Sequence, residues 1–411
     1  MESEKIREIV IDQNDYPERE FIERELTKEL IKVKDSSFVK IISGVRRSGK
    51  STILKQLKGK YGGAYVNFDD ERFVNFKVDD FQELYEICLE LFPKKYFYFD
   101  EIQNIPNWER FVRRISEAGE NVFVTGSNAT MLSKELGTHL TGRYLMFKLY
   151  PFSFKEYLRY NQIEPSKLTT KEKVKLKKFF SNYLKEGGLP EYLKTKNKDY
   201  LRNLYESILY RDVMARYKLN KEKTLKELIY LAANNLSKEI SFNSIKKTLG
   251  VGSTTSISDY FSYLENTYLL FLLPKYKYSL KQQIQGNKKL YLIDNALANQ
   301  LGFSFSENSG KLLENQVFLE LKRKDKEIFY YQEKKECDFI LKDKNKVIEA
   351  IQVCYELNEK NKEREINGLI EAMEKFKLKK GTIVTLNQEE TLEQNKLRLK
   401  IIPAYKWFLD L

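Results

Sequence analysis

Residues Gly44-Val45-Arg46-Arg47-Ser48-Gly49-Lys50-Ser51 spell G-x-x-x-x-G-K-S, and their flanks leave this stretch few folds to choose from. The run Phe38-Val39-Lys40-Ile41-Ile42-Ser43 before it is β-rich and apolar, and Thr52-Ile53-Leu54-Lys55-Gln56-Leu57 after it has helical spacing. A glycine-bearing loop between strand and helix lets successive backbone N–H groups converge on an anion at the positive end of the helix. Lys50 adds a point charge, and Gly44, Arg47, Ser48, Gly49 and Thr52 complete the candidate phosphate cradle. Ser51 is the candidate Mg²⁺ hydroxyl. Taken alone, the pattern is also open to the reading of an ordinary glycine-containing turn.

A second motif lies downstream. Tyr96-Phe97-Tyr98-Phe99 reads as a buried strand ending in Asp100-Glu101, which puts two carboxylates at the carboxyl edge of a sheet, where open α/β folds bind ligands. Asp100 is expected to hold Mg²⁺ through water and Glu101 to orient or deprotonate an attacking water, because in-line phosphoryl transfer to water needs a base there. Further strands are expected at Ala64–Phe68 and Asn121–Asn128, with helices between them, so a parallel sheet is the economical solution. Thr125-Gly126-Ser127-Asn128 end their strand with small polar residues, and Ser127 or Asn128 is the candidate sensor of the γ-phosphate or attacking water.

The chain has 411 residues, room for two or three domains, and its 42% hydrophobic content argues against disorder. No stretch approaches the roughly 20 apolar residues of a membrane span, and the acidic start lacks a signal pattern; a cytoplasmic location without membrane partners is expected. Three scattered cysteines and one histidine make neither a disulfide framework nor a zinc site. A net charge of +13 is compatible with polyanionic partners, although lysine is abundant throughout.

Phe99-Asp100-Glu101-Ile102-Gln103 and Thr125 to Asn128 resemble the Walker B and sensor-1 elements of a prokaryotic branch of AAA-type P-loop ATPases, in which a conserved domain of unassigned function follows the ATPase. Leu140-Thr141-Gly142-Arg143, Pro151-Phe152-Ser153-Phe154-Lys155-Glu156 and Gly187-Gly188-Leu189-Pro190 are similar to further signatures of that family. The resemblance implies an ATP- and Mg²⁺-dependent ATPase that forms homo-oligomers. Arg143 falls where AAA proteins commonly carry an arginine finger for a neighbour's site; a surface or core-capping arginine is the alternative.

The expected fold is α/β: a P-loop AAA-type parallel sheet with a helical lid, then a winged-helix element, then an α/β nuclease-like domain. The boundaries are a helical lead-in at 1–35, ATPase core 36–152, lid 153–217, winged helix 218–287 and C-terminal domain 288–411. Within 223–275, helix, Gly250-Val251-Gly252 turn and hydroxyl-rich helix suggest helix-turn-helix, with wing strands expected at Leu269–Pro274 and Lys275–Tyr278. Ser253 to Leu264 lack Arg, Lys and Gln, so DNA binding and protein docking both stand. In the last domain Glu314 and Asp338 fit the first two positions of a restriction-endonuclease-like metal site. Gln352-Val353-Cys354 replaces the Glu-x-Lys pair, so the fold is expected without hydrolysis. Three functions follow: an ATPase acting on or with DNA, a nucleotide-dependent switch binding a protein partner, and an ATP-dependent nuclease.

Overall fold

A computed structural model describes residues 1–15, 21–127, 142–165, 169–302 and 309–411. The expected strands form, and their period of two sorts side chains onto opposite faces. β1 (Val39–Ser43), β2 (Ala64–Asn67), β3 (Tyr96–Asp100), β4 (Asn121–Gly126) and β5 (Tyr144–Lys148) build one sheet in the order β2-β3-β4-β1-β5, every pair parallel. Val39, Ile41, Phe97, Phe99, Val122 and Val124 enter one apolar layer with Ile6, Ile9 and Val10 of helix α1 (Ser3–Asn14). Ile42, Tyr98 and Phe123, the intervening residues, enter the other with Leu30 of α2 (Glu25–Lys32) and Ile53, Leu54 and Leu57 of α3 (Lys50–Tyr61). Burying both faces is why these strands read as continuous apolar runs. The polar lead-in is helical, and α1 contributes to the sheet's core.

The chain divides into two compact units, residues 1–149 with Asn266–Tyr268, and 150–265 with 269–411. The helices expected for a lid lie in the second unit: Phe154–Tyr160, Thr170–Glu186, Pro190–Thr195 and Lys198–Ser207. Ser153 caps the first of them reciprocally with Glu156, and Pro190 opens the third at the position where its missing N–H costs nothing. The Gly187-Gly188 break faces this unit's own backbone. The Phe152 amide donates to Gly188 O at 2.8 Å, and a Cβ on Gly188 would lie 2.3 Å from Phe152 O.

Helices Glu222–Asn234, Phe242–Leu249 and Thr254–Asn266 form, with Gly250 closing the second in the left-handed conformation. They accompany a three-stranded antiparallel sheet, β6 (Glu239–Ile240), β8 (Lys288–Leu292) and β7 (Leu270–Pro274), in that order. The second long strand of this sheet is therefore Lys288–Leu292 and not Lys275–Tyr278. The remaining sheet has the order β13-β14-β12-β11-β10-β9, from β9 (Glu327–Gln332), β10 (Glu336–Asp343), β11 (Lys346–Val353), β12 (Lys380–Thr385), β13 (Glu390–Gln394) and β14 (Leu397–Pro403). It is mixed, with β11-β12 and β12-β14 parallel, and the helix Lys362–Lys375 packs on its core. No described helix is long and apolar enough to cross a membrane.

Candidate functional site

β1 delivers the chain to the glycine loop. Gly44 must be glycine, because a Cβ there would fall 2.2 Å from Leu149 O. Arg47 (φ 63°) and Gly49 (φ 101°) are left-handed, which folds the loop back so that α3 starts at Lys50. Lys50 is buried, and its Nζ donates to Gly44 O at 3.1 Å and Val45 O at 3.2 Å, so the ammonium stands inside the arch of the loop. Ser48 is fully buried and its hydroxyl has no hydrogen-bond partner, an orphan donor suited to an anion. Ser51 and Thr52 are half-buried on the first turn of α3, and Arg47 is exposed at the loop's tip. From outside the motif, Arg24 Nη1 donates to Ser48 O at 2.7 Å and braces the loop. Its place in a charge-rich lead-in gave no sequence signal for this.

The two carboxylates arrive two strands away. Asp100 ends β3, is 2% exposed, and accepts a hydrogen bond from Tyr65 Oη at 2.7 Å and another from the Thr125 hydroxyl. Thr125 Oγ1 also accepts the Glu101 N–H at 2.9 Å. Thr125 sits on β4, the strand between β1 and β3, and so ties both carboxylate residues to the middle of the sheet. Glu101 is left-handed (φ 50°), a turn that brings its Oε1 to 3.8 Å from Lys50 Nζ, while Gln103 Nε2 donates to its Oε2 at 2.5 Å. Ser127 is buried, with an unpartnered hydroxyl at the carboxyl end of β4. Asn128, the other candidate sensor, lies outside the described residues, as does His139.

This arrangement can bind polyphosphate and position water. Among the described residues no cluster of three or more His, Cys, Asp or Glu side chains forms a metal cage. The donor set instead offers one hydroxyl, Ser51, and one carboxylate, Asp100, as fits an ion that takes its remaining oxygens from phosphate and water. Both Asp100 oxygens already accept a hydroxyl, which favours a water-mediated hold.

Arg143 stands elsewhere. Its carbonyl accepts Val39 N–H at 3.1 Å and Tyr144 pairs with Val39, so it marks the amino edge of the sheet, about 15 Å along β1 from the loop. Its guanidinium pairs with Glu117. It therefore takes no part in this chain's own site.

The nuclease-like pattern of the second unit brings Glu314 and Asp338 together, around an ammonium that the sequence pattern did not flag. Lys289 Nζ lies 3.0 Å from Glu314 Oε1, 2.8 Å from Asp338 Oδ1 and 2.6 Å from Glu336 Oε1, and its side chain is 3% exposed. Burial works against this charge, but Asp338, Glu314 and Glu336 outweigh it and hold its pKa well above the usual lysine range. Gln352 Oε1 accepts Asp338 N–H at 3.2 Å, and its Nε2 donates to Glu365 at 2.6 Å. Tyr291 Oη donates to Glu314 at 2.7 Å. The ammonium thus meets three carboxylates within this unit.

A family described as an AAA domain matches residues 36–158, and two described as domains of unknown function match 177–309 and 309–407. The Methanocaldococcus jannaschii protein MJ1544, described as uncharacterized, is 37% identical over 426 residues, covering 98% of this chain and 94% of its own. An uncharacterized Haemophilus influenzae protein is 31% identical over 370 residues, covering 85% and 90%. Among solved structures, the Pyrococcus horikoshii signal transduction ATPase with a tetratricopeptide repeat sensor, PH0952, aligns at 14% identity and TM-score 0.29 over 75% of this chain, which spans 46% of that one. Drosophila ORC bound to AT-rich DNA and Cdc6 aligns at 11% identity and TM-score 0.23, covering 72% of this chain and 93% of that one. Similarity of that order leaves the functional reading to the site itself.

Proposed function

The chain belongs to the family of AAA-domain proteins that includes MJ1544 and its Haemophilus counterpart, and from that premise we propose that it binds ATP with Mg²⁺ and hydrolyses it. Gly44, Arg47, Ser48, Gly49, Lys50, Ser51 and Thr52 cradle the phosphates. Ser51 and Asp100 would hold Mg²⁺, which would offset the negative charge of the phosphates. Glu101 takes the proton of the attacking water, and Ser127 or Asn128 senses the γ-phosphate. The observation that carries this reading is the 3.8 Å approach of Lys50 and Glu101, residues from two separate motifs sharing one pocket. Arg143 acts on a neighbouring copy in a homo-oligomer, in keeping with its distance from its own loop.

The hydrolysis acts on or with DNA. Gly250 joins the helices Phe242–Leu249 and Thr254–Asn266 beside a small antiparallel sheet, and Lys246 and Lys247 stand on the last turn of the first helix, an arrangement suited to phosphate contacts. The second helix carries Asp259 and Glu265 and no cation, which favours backbone over base contacts and keeps a nucleotide-controlled switch on a protein partner as the alternative. The third reading, a nuclease at Glu314, Asp338 and Gln352, is disfavoured by the Lys289 ammonium among those carboxylates. ATP turnover measured with and without DNA across a salt series separates the first two. Stimulation that fades as salt rises supports DNA, because phosphate contacts release counterions. Turnover blind to DNA sinks that reading.

A further inference from the structure

One hydrogen bond at the base of the glycine loop comes from far along the chain. Asn266–Tyr268 belong to the same compact unit as residues 1–149, although the chain on either side of them belongs to the other. Tyr268 is 6% exposed, and its phenol donates to Ser43 Oγ at 2.8 Å. Ser43 is the last residue of β1 and immediately precedes Gly44. Its backbone is fixed on both sides, paired in register with Gly126 of β4 and Lys148 of β5, and its carbonyl accepts Leu149 N–H at 2.7 Å.

The backbone of Tyr268 argues that this contact is imposed by the fold. Tyr268 sits at φ 61°, a left-handed backbone that a side chain of this size adopts only where its surroundings over-determine it. Burial raises its phenol pKa, which keeps it a neutral donor at physiological pH. The next residue along the chain after Ser43 supplies one of the carbonyls that hold Lys50, so a short path runs from the Tyr268 hydroxyl through Ser43 and Gly44 O to the ammonium.

We propose that Tyr268 is a positioning residue for the phosphate loop: by anchoring Ser43 it sets the entry of the loop and tunes the affinity for nucleotide. The inference rests on the ATP-binding reading above. It makes the nucleotide site dependent on the short connection between the helix Thr254–Asn266 and β7, which family matching of the ATPase segment alone does not include.

The test uses the full chain and fluorescent-ATP binding with Mg²⁺ for wild type, Tyr268→Phe, Ser43→Ala, the double variant and Lys50→Ala, together with melting temperatures without nucleotide. Either single variant is expected to weaken the dissociation constant about fivefold to tenfold, the equivalent of one hydrogen bond, and the double variant no more than either alone. Unchanged affinity in Tyr268→Phe would overturn the proposal even if its melting temperature fell, since that is the mark of a merely structural tyrosine. Multiplying effects in the double variant would also overturn it. Wild type binding no better than Lys50→Ala would instead defeat the ATP reading itself, a separate result that takes this inference with it.

Discussion

The Lys50 ammonium lies 3.8 Å from a Glu101 carboxylate oxygen, so the cation of the glycine loop and the carboxylate beyond β3 look into the same space from strands that are not neighbours. Their meeting depends on β4, inserted between β1 and β3, and on the left-handed turn at Glu101 that redirects its side chain toward the loop. On the proposed reading, one charge serves phosphate and the other the water that attacks it.

Thr125 is the joint of this assembly, donating to Asp100 and accepting from the Glu101 amide. Thr125→Val keeps the shape but removes both bonds. Turnover is expected to fall about tenfold to a hundredfold with ATP affinity changed less than about threefold, as steady-state phosphate release and equilibrium binding would report. Equal losses in both would mean that Thr125 only supports the fold.

Arg143, at the amino edge of its own sheet, predicts complementation. Arg143→Ala retains a complete site, and Lys50→Ala retains the arginine. Each alone is expected to be nearly inactive, and an equimolar mixture should recover a measurable fraction of wild-type turnover through mixed assemblies. No recovery at any protein concentration would leave Arg143 as the partner of Glu117 and nothing more.

Asp294 explains the double glycine. Its Oδ2 accepts Gly188 N–H at 2.6 Å, its Oδ1 caps the helix Asn295–Leu301, and a Cβ on Gly187 would lie 2.2 Å from that oxygen. Burial pushes its carboxyl up to about 6, against the pull of these amide donors. The folded state thus holds this proton more tightly than the unfolded chain does. The resulting stability is full below about pH 4 and is lost as pH rises through about 6, a change on the order of 3 kcal/mol. Chemical unfolding of Asp294→Asn, compared with wild type across that range, should show this component of the pH dependence removed; parallel curves would refute it.

Lys289 is buried against Glu314 and Asp338 and also pairs with the more exposed Glu336. Lys289→Met should cost about 3–5 kcal/mol, because the carboxylates stay behind unpaired, and adding Asp338→Asn should restore part of the loss. A urea titration of the single and double variants would reveal this, and a single variant as stable as wild type would contradict it.

What the sequence discloses and what it hides differ for physical reasons. Phosphate binding is a local problem solved by contiguous residues, so Gly44 to Ser51 are legible. The strands of the first sheet are buried on both faces and announce themselves as apolar runs. Arg24, Tyr65 and Tyr268 reach their partners only through tertiary packing, and each is an ordinary residue in its own neighbourhood of the chain. Lys289 is hidden by the lysine abundance around it. Lys288–Leu292 is missed as the partner of Leu270–Pro274 because pairing partners leave no mark in a strand's own pattern.

The most direct test of the account is Glu101→Gln, measured for both MgATP affinity and single-turnover hydrolysis beside wild type. The substitution preserves shape and removes the base together with its charge beside Lys50. The account predicts affinity within about threefold of wild type and hydrolysis slowed by about a hundredfold or more. Hydrolysis at the wild-type rate, or a wild-type chain that neither binds nor turns over ATP, would contradict it.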